Sequence, residues 1–391
     1  MVWIHSTKSF DSSVMRVLLF ICVAVFLFPS GSEGAETSED SDKMIRIGVA
    51  GAHSGDLASL GIPSLRAVRI AAKMQNGKGG IFGRKIEIID QDDQCKLPKA
   101  AEAAKKLLSD NISMIVGHTC SSATKAALDI YKDSKVVVIS SSSTNPALTQ
   151  SGRYPGFFRT ISPDDAQARL QVDFLLKVLK FAKIAVVHDN DDYGRGQAAF
   201  AKEFLAESGN TKVVLSEEIV AGAADYSGIA DKIRESGAQA VIYGGYYPEA
   251  SKIILQMRIK KMKTVFMGGD GVMNKSFLKS VRSNAEGLYT TGPRDMSGNK
   301  MAAEVIDMHK KVHGDPPGQF YLNAYAGTLA LFNAIRKSGS MDYDSVIRFL
   351  RLSYISTPIG AISFDRKGDV RGYGFSLFKI ADGKYVEVEV K

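Results

Sequence analysis

Small hydroxyl residues are concentrated in three short segments of the first half of the chain, each directly after an apolar run. These segments are residues 51–55, 117–122 and 140–144. Ser121 and Ser122 would open a helix, so that backbone N–H groups and a hydroxyl could converge on one carboxylate or phosphate. Thr144 precedes another turn that presents donors. Any one segment fits an ordinary helix cap at least as well, but three together favour an anion-binding site.

The second half carries aromatic and acidic side chains in corresponding positions. Its polar segments are residues 188–194, 244–248 and 268–271. They contain Tyr193, Tyr246 and Asp270. An acidic and aromatic wall opposite an anion-binding wall suits a zwitterion held between the two. The sequence therefore indicates a site for a small molecule that carries both charges.

Motifs of the common enzyme classes are absent from the sequence. It has no Walker nucleotide-binding loop, no G-x-S-x-G elbow and no H-E-x-x-H zinc motif. Ser121 lies close to His118, which leaves a hydrolase as a less favoured alternative. His309 and His313 have metal-ligand spacing on a helix, but the residues between them indicate an exposed helical face. A binding protein without cofactor or metal is predicted, rather than an enzyme.

The segments that position these groups alternate between short β-branched runs and longer runs of helical period, as in parallel α/β sheets. The first series predicts strands at 45–50, 86–90, 114–117 and 136–139, and helices at 63–75, 98–108 and 122–131. The second predicts strands at 184–188, 213–217, 240–243 and 264–267, and helices near 166–180, 194–207, 227–236 and 249–260. The fold class is therefore α/β, with two doubly wound units in tandem.

The tail of the chain breaks this alternation. Helices near 300–313, 322–338 and 343–352 precede strands at 361–364, 374–380 and 385–390. Such a tail could complete both units. The 391 residues are in keeping with two domains of roughly 150 residues each.

The first 34 residues have the pattern of a secretory signal peptide. Arg16 precedes an apolar run at 17–28, which is short for a membrane span, and small residues follow it. We expect cleavage near Gly34 or Ala35; an uncleaved anchor is the alternative. Cys22 follows Phe20 and Ile21 rather than small residues, so lipid anchoring is not expected.

Export leaves two cysteines, Cys95 and Cys120, in an oxidising compartment, and we predict that they form a disulfide. Two free buried thiols are the alternative. The formal net charge of +8 comes from lysines and arginines that are scattered among acids. This distribution indicates a solvated surface and no nucleic-acid partner.

Several of these segments resemble the periplasmic leucine/isoleucine/valine-binding proteins, the solute receptors of branched-chain amino-acid ABC importers. The resemblance extends from about Ile45 to Asp382. It is carried by GAHSG (51–55), NGKGGI (76–81), DDQC (92–95), GHTCSS (117–122), YG (193–194), YGGY (243–246) and FMGGD (266–270). Each motif alone is weak, but the set is specific.

The resemblance implies two α/β lobes joined by a three-segment hinge, with the ligand in the cleft between them. One lobe is expected at 44–163 plus 293–372 and the other at 164–292 plus 373–391. The family disulfide falls on Cys95 and Cys120, in agreement with the argument from export.

The resemblance also implies the ligand contacts. The α-carboxylate would meet Ser121 and Thr144, through hydroxyls and backbone groups. The α-ammonium would meet the carbonyl of Ser142, the hydroxyl of Thr144 and the carboxylate of Asp270. Asp270 stands where the family has the longer glutamate, which changes the expected ammonium geometry.

The remaining contacts would close the pocket. Tyr193 and Tyr246 would cover the ligand from the second lobe, while Thr119 and Cys120 would wall it. Leu60 stands where a tyrosine commonly lines the side-chain end of the pocket in the family. Side-chain preference is therefore expected to differ from that of tyrosine-lined relatives.

The function implied is that of a periplasmic, monomeric binding protein that closes on leucine, isoleucine, valine or a related apolar amino acid. Its partners would be the permease subunits of an ABC importer, with no membrane insertion after signal cleavage. A ligand-binding sensor of the same fold, for amides or other small amino acids, is the alternative.

Overall fold

Residues 44–209 and 211–389 are described by the computed structural model of the chain; the predicted signal peptide and Cys22 lie outside them. The strands are β1 (Met44–Gly51), β2 (Lys85–Asp92), β3 (Met114–Gly117), β4 (Val137–Ser140), β5 (Phe157–Arg159), β6 (Lys183–His188), β7 (Lys212–Glu218), β8 (Ala240–Gly244), β9 (Val265–Gly268), β10 (Tyr289–Pro293), β11 (Ile355–Thr357), β12 (Gly360–Phe364), β13 (Val370–Arg371), β14 (Phe375–Ala381) and β15 (Lys384–Val388). The helices are α1 (Ala58–Gly77), α2 (Leu97–Ser109), α3 (Ser121–Tyr131), α4 (Ala147–Gln150), α5 (Asp164–Asp173), α6 (Asp192–Glu207), α7 (Ser227–Glu235), α8 (Tyr247–Ile259), α9 (Lys275–Val281), α10 (Lys300–His313), α11 (Tyr321–Ser338) and α12 (Tyr343–Leu352).

The first lobe is built on a parallel sheet with the strand order β2-β1-β3-β4-β5. Every residue of β3 and β4 is buried, as is usual for central strands covered on both faces. On one face, apolar residues of α1, α11 and α12 share a core with β1, β3 and β4. On the other face, α2 and α3 pack over the same strands. A small antiparallel sheet, β11-β12-β13, contributes to the first of these cores.

The second lobe has a sheet with the order β15-β14-β10-β9-β8-β6-β7. Strands β6 to β10 run parallel, and β14 and β15 are antiparallel to their neighbours. Helices α5 and α6 cover one face, while α7, α8 and α9 cover the other. The predicted α/β class with two doubly wound lobes is therefore confirmed.

The chain passes between the two sheets three times. The passages lie between β5 and α5, between β10 and α10, and between β13 and β14. They place the carboxyl ends of both sets of parallel strands at one cleft. The residue-level boundaries given above for the lobes stay a prediction.

Helix α1 begins five residues before the predicted start at Pro63. Proline suits the first turn of a helix, which is why the sequence suggested that start. The structure has Pro63 inside the helix instead. The added first turn packs directly on the end of β1, where a side chain on Gly61 would overlap the backbone carbonyl of Ala52.

His309 is buried, so the expectation that it lies on an exposed helical face is wrong. Its ring packs edge-to-face on Tyr321 at 4.9 Å, and Nδ1 donates a hydrogen bond to the carbonyl of Asp315 at 2.9 Å. The neighbouring His313 is exposed, as expected. Within 44–209 and 211–389, no group of three or more His, Cys, Asp or Glu side chains could hold a metal ion. No helix in these ranges is long and apolar enough to cross a membrane.

The disulfide between Cys95 and Cys120 is present, which confirms its prediction. It links the loop after β2 to the residue that precedes α3. The two cysteines are 25 residues apart in sequence. The bridge therefore ties down the loop that leads into Ser121.

Removing the disulfide should destabilise the fold without changing its topology. Closing a loop of 25 residues contributes about 3.5 kcal/mol on the chain-entropy estimate. We expect reduction of the mature protein to lower its free energy of unfolding by about this amount, measured by urea denaturation and circular dichroism with and without reductant. Mass measurement after alkylation provides the check, and two reactive thiols in the native, unreduced protein would contradict the bridge.

Candidate functional site

Seven of the nine residues predicted to contact a ligand line one small pocket between the carboxyl ends of the two sheets. The pocket is lined by Leu60, Thr119, Ser121, Ser142, Tyr193, Tyr246, Asp270, Gly271 and Phe320. Cys120 and Thr144 are buried without lining it, whereas Gly271 and Phe320 were not predicted. The pocket volume is about 10 Å³, which is roughly the space of one water molecule. The lobes are therefore closed on the site, and a larger ligand can enter only when they part.

The wall contributed by the first lobe is a network of hydroxyl groups. Ser142 Oγ donates to the carbonyl of Thr119 at 2.8 Å, and the backbone N–H of Ala52 donates to Thr119 Oγ1 at 3.3 Å. Ser121 Oγ accepts a hydrogen bond from the backbone N–H of Asn145 at 3.2 Å. Helix α3 begins at Ser121, and the first N–H groups of a helix have no acceptor within it. This wall therefore presents donors for a carboxylate.

Arg159 holds the loop after β4 in place. Its side chain is fully buried, and Nε donates to Asp369 at 2.6 Å. Nη1 donates to the carbonyls of Asn145 and Ser143, at 2.8 and 3.3 Å. The sequence analysis did not predict this supporting role of Arg159. An arginine that follows two phenylalanines at the end of a strand is equally compatible with an exposed position.

His118 supports the same wall from behind. Its Nδ1 lies 2.6 Å from Asp93 Oδ2 and its Nε2 lies 3.3 Å from the hydroxyl of Tyr131. All three side chains are buried. Both ring nitrogens are thus engaged away from Ser121, so the serine–histidine pair that a hydrolase would need is not formed. The carbonyl of His118 accepts from Ser140 Oγ at 2.8 Å, which joins the loops after β3 and β4.

The wall contributed by the second lobe is aromatic and acidic. The hydroxyl of Tyr193 donates to Asp270 Oδ1 at 2.7 Å, and the N–H of Gly271 donates to the same hydroxyl at 3.1 Å. The rings of Tyr193 and Tyr246 lie 5.1 Å apart. Gly269 must lack a side chain here, because a Cβ would overlap the hydroxyl of Tyr193. A Cβ on Gly268 would in turn crowd the side chain of Val272, so both residues directly before Asp270 are small.

A second carboxylate, Asp164, lies beside Asp270. The side-chain amide of Gln167 donates to Asp164 Oδ1 at 3.0 Å and to Asp270 Oδ1 at 3.1 Å. Both acids are buried. Asp164 was not predicted, because an acid in the first turn of a helix is common at the surface. The hydroxyl of buried Thr144 lies near Asp164 and, against the larger effect of burial, lowers the pKa of that carboxyl, but Thr144 Oγ1 and Asp164 Oδ2 form no hydrogen bond of good geometry among the described residues.

Burial dominates the electrostatics of this carboxylate pair. It raises the pKa of Asp270 to about 6, against the hydrogen bonds from Tyr193 and Gln167, which favour the ionised form. Burial, and then the charge of Asp270, raise the pKa of Asp164 well above its usual value. No Lys, Arg or His in 44–209 or 211–389 forms an ion pair with either acid. The pair is therefore set to receive a cation.

The third side of the pocket is apolar. Leu60 is 1% exposed and clusters with Ile161 and Phe320. Tyr246 packs at the edge of this cluster and also against Cys120, beside the disulfide. The arrangement can thus accept an anionic group, a cationic group and an apolar group at three separate places.

Direct contacts join the two lobes around the pocket. Ser122 Oγ donates to Asp191 Oδ2 at 2.5 Å, and Asn145 Nδ2 donates to the carbonyl of Asp192 at 2.6 Å. Lys125 lies 3.1 Å from the carboxylate of Asp192. These contacts connect the first turns of α3 and the loop after β4 to the start of α6, and they would break on opening.

Comparisons with known proteins agree with this architecture. A family model described as periplasmic binding protein matches residues 44–384. The leucine-specific-binding protein of Salmonella typhimurium is 35% identical over 343 residues, 87% of this chain and 92% of that protein. The leucine-, isoleucine-, valine-, threonine-, and alanine-binding protein of Pseudomonas aeruginosa is 33% identical over 361 residues, 92% of this chain and 94% of that protein.

A solved structure shows the same fold with a ligand. The branched-chain amino acid transporter substrate binding protein LivJ from Streptococcus pneumoniae, in complex with isoleucine, is similar with a TM-score of 0.79 and 25% identity. The similarity covers 88% of this chain and 100% of that chain. With the family model matching nearly all of the described residues, the chain belongs to the periplasmic binding protein family.

Proposed function

We propose that the chain is an exported, non-enzymatic solute-binding protein of an ABC importer, which closes on leucine, isoleucine, valine or a related apolar amino acid. The observation that carries the proposal is the match between the pocket and an amino acid. The buried carboxylate of Asp270, the donors at the start of α3 and an apolar cluster occupy three sides of one pocket. The proposal is also supported by two relatives whose names state that they bind such amino acids.

The α-carboxylate is assigned to the first lobe. It would accept hydrogen bonds from Ser121 Oγ, from the first N–H groups of α3 and from Thr144. Anions are stabilised at the amino end of a helix, and a hydrogen bond to a charged group contributes about 1.5–3 kcal/mol.

The α-ammonium is assigned to the junction of the lobes. Asp270 and Asp164 supply negative charge, while the carbonyl of Ser142 and Thr144 Oγ1 supply further acceptors. Asp164 extends the set of contacts implied by family resemblance. The two carboxylates are neighbours, since both accept from Gln167, so Asp164 would add negative charge where the shorter Asp270 reaches less far than a glutamate.

Closure is assigned to Tyr193 and Tyr246, which would cover the ligand from the second lobe, while Thr119 and Cys120 complete the first. The free space at the site in this structure is only about 10 Å³, so the lobes would sit slightly further apart when they are closed around an amino acid. The ligand would therefore enter while the two lobes, 44–163 plus 293–372 and 164–292 plus 373–391, are apart. The signal-cleaved monomer, closed on its ligand, would then dock on the permease subunits in the periplasm.

Replacing Ser121 tests the assignment of the α-carboxylate. We expect Ser121→Ala to weaken leucine binding by about ten- to a hundredfold, because one charge-assisted hydrogen bond is lost. Calorimetric titration of the mature protein against the common amino acids is the measurement. The exposed Ser134→Ala is the matched control and should bind as the parent does. Unchanged affinity of Ser121→Ala for every ligand found would place the site elsewhere.

Binding should weaken on acidification, because protonated Asp270 no longer attracts an ammonium group. Burial raises the pKa of Asp270 to about 6, so its charge is present above that pH and is lost below it. Free leucine keeps both of its charges between pH 5 and pH 7.5. We expect the Kd for leucine to rise by about tenfold from pH 7.5 to pH 5.

Asp270→Asn is the matched variant for this pH profile, since it keeps the shape of the side chain and removes the charge. Its leucine affinity should be low at both pH values, with a flatter profile than that of the parent. Affinity that stays constant, or increases, as the pH of the parent protein falls to 5 would contradict the assignment of the ammonium group.

Leu60 should set the tolerance for large side chains. We expect leucine, isoleucine and valine to bind within about tenfold of each other, because one methylene changes affinity by only about fourfold. Phenylalanine should be tolerated better than in tyrosine-lined relatives, and Leu60→Tyr should reduce phenylalanine binding preferentially, measured by calorimetry. Leu60→Met is the volume-conserving control. Tight binding of a charged or strongly polar amino acid, with no detectable leucine, would overturn the proposed function.

A further inference from the structure

A chain of buried hydrogen bonds runs through the second lobe and ends on the two carboxylates of the ammonium site. It consists of four fully buried side chains, and we call it the amide relay: Gln197, Gln171, Thr291 and Gln167. Gln197 lies on α6, Gln171 and Gln167 lie on α5, and Thr291 lies on β10. None of the four lines the amino-acid pocket, so direct contact with a ligand does not explain them.

The direction of the relay is fixed at Gln167 by the backbone. The N–H of Asp270 donates to Gln167 Oε1 at 2.7 Å, so this end of the amide must be the oxygen. Its Nε2 therefore faces the carboxylates, donating one hydrogen to Asp164 Oδ1 at 3.0 Å and one to Asp270 Oδ1 at 3.1 Å. Both hydrogens of the amide are thus used on the carboxylate pair.

The direction is fixed a second time at Gln171. Its Nε2 donates to the carbonyl of Gly268 at 3.0 Å, so its nitrogen faces Thr291 and its oxygen faces Gln197. Thr291 Oγ1 must then accept from Gln171 Nε2, at 2.8 Å, and donate to Gln167 Oε1, at 2.6 Å. Gln197 Nε2 supplies the first link, 3.2 Å from Gln171 Oε1.

All the links therefore point the same way, from α6 to the carboxylates. In such a chain, each group that accepts a hydrogen bond becomes a better donor to the next one. Burial raises the pKa of Asp164 and Asp270, and the hydrogen bonds from Gln167 oppose this effect because they favour the ionised forms. The relay strengthens the last donor and so favours charge on the pair.

Three other titratable or charged side chains face the carboxylate pair. Tyr193 donates to Asp270, and Tyr246 lies beside Tyr193. Burial raises the pKa of both tyrosines well above the usual range, so they stay neutral. The positive charge of Arg159 opposes the effect of burial on the pKa of Asp164. The amide relay adds a second influence in the same direction as this cation.

We propose that the amide relay positions the two carboxylates and keeps them charged for a cationic group. Its members would act on a ligand only through Asp164 and Asp270, so they are positioning residues and not ligand contacts. Its importance for amino-acid binding rests on the proposed function, in which the cationic group is the α-ammonium.

Replacing Thr291 tests the relay at its middle link. Thr291→Val keeps the shape of the side chain and removes the hydroxyl, so Gln167 Oε1 loses one donor. We expect the pH at which Asp270 is half protonated to rise by about 0.5 to 1 unit, as for the loss of one hydrogen bond. The measurement is carboxyl-carbon NMR of the mature protein labelled with carbon-13 aspartate, and Asp270→Asn assigns the signal.

Thr290→Val is the matched control. Thr290 precedes Thr291 on β10 and is also buried, but its Oγ1 has no hydrogen-bond partner among the described residues. This variant should titrate as the parent does, and so should Thr291→Ser, which keeps the hydroxyl. An unchanged midpoint in Thr291→Val, or an equal change in Thr290→Val, would overturn the relay.

Gln197→Met breaks the relay at its first link and serves as a second variant if Thr291→Val folds poorly. Methionine has a similar length and carries no amide. The midpoint of Asp270 should rise here too, by less than in Thr291→Val, because this link is farthest from the pair. A midpoint at or below that of the parent would refute transmission along the relay.

Leucine titration by calorimetry measures the consequence for binding. Thr291→Val should bind leucine within about twofold of the parent at pH 7.5, where Asp270 is charged in both proteins. At pH 5 it should bind about three- to tenfold more weakly, because the raised pKa leaves fewer molecules charged. Equal weakening at both pH values would contradict a role in setting the charge.

The NMR titration needs no ligand, so it separates this proposal from the proposed function. A raised midpoint in Thr291→Val, in a protein that binds no amino acid, would leave the relay standing and overturn only that function.

Discussion

Two buried carboxylates that form no direct ion pair with a Lys, Arg or His among residues 44–209 and 211–389 are the constraint on which this binding site depends. Asp164 and Asp270 share one amide donor, and both pKa values are raised by burial. A buried charge is costly unless it is paired. Without a ligand, the carboxylate pair therefore lowers this cost by taking up a proton in part of the molecules. In the proposed function, a ligand ammonium group would supply the missing charge. The site would thus select a cationic group because it is incomplete without one, and the rest of the architecture brings the two carboxylates together.

That place exists only because elements of both lobes converge on it. Asp164 begins α5 at the first passage and Asp270 follows β9 of the second lobe. In the first lobe, Thr144 lies in the loop after β4 and Ser121 begins α3. Arg159 and the Asp93–His118 pair hold those loops from behind. An amino acid bound as proposed would therefore span the cleft, with its carboxylate on one lobe and its ammonium at the junction. Its binding free energy would favour the closed form, because the open form could not offer both sets of contacts at once.

Much of this was predictable from sequence, for a physical reason. Polar loops after parallel strands must meet at one edge of a sheet, so the positions of Ser121, Ser142 and Asp270 could be inferred from strand order along the chain. The disulfide followed from export and from the count of cysteines. Asp164, Arg159, Phe320 and His309 could not be inferred in this way, because their burial arises from packing between distant segments. An acid at a helix start and an arginine at a strand end have the same local signature whether they face solvent or the core.

The division of binding energy explains why such a pocket would recognise a class of ligand rather than one member. Micromolar affinity corresponds to about 8 kcal/mol, whereas burying a leucine side chain contributes roughly 3 kcal/mol. The carboxylate and ammonium contacts, which every amino acid shares, must supply the larger part. Discrimination among side chains would then fall mainly to the apolar cluster of Leu60, Ile161 and Phe320. An apolar cluster ranks apolar side chains weakly, since they differ by single methylenes, yet it disfavours a polar side chain strongly because a buried polar group there finds no partner. Rejection by desolvation is thus the main source of selectivity, and fit within the cluster is secondary.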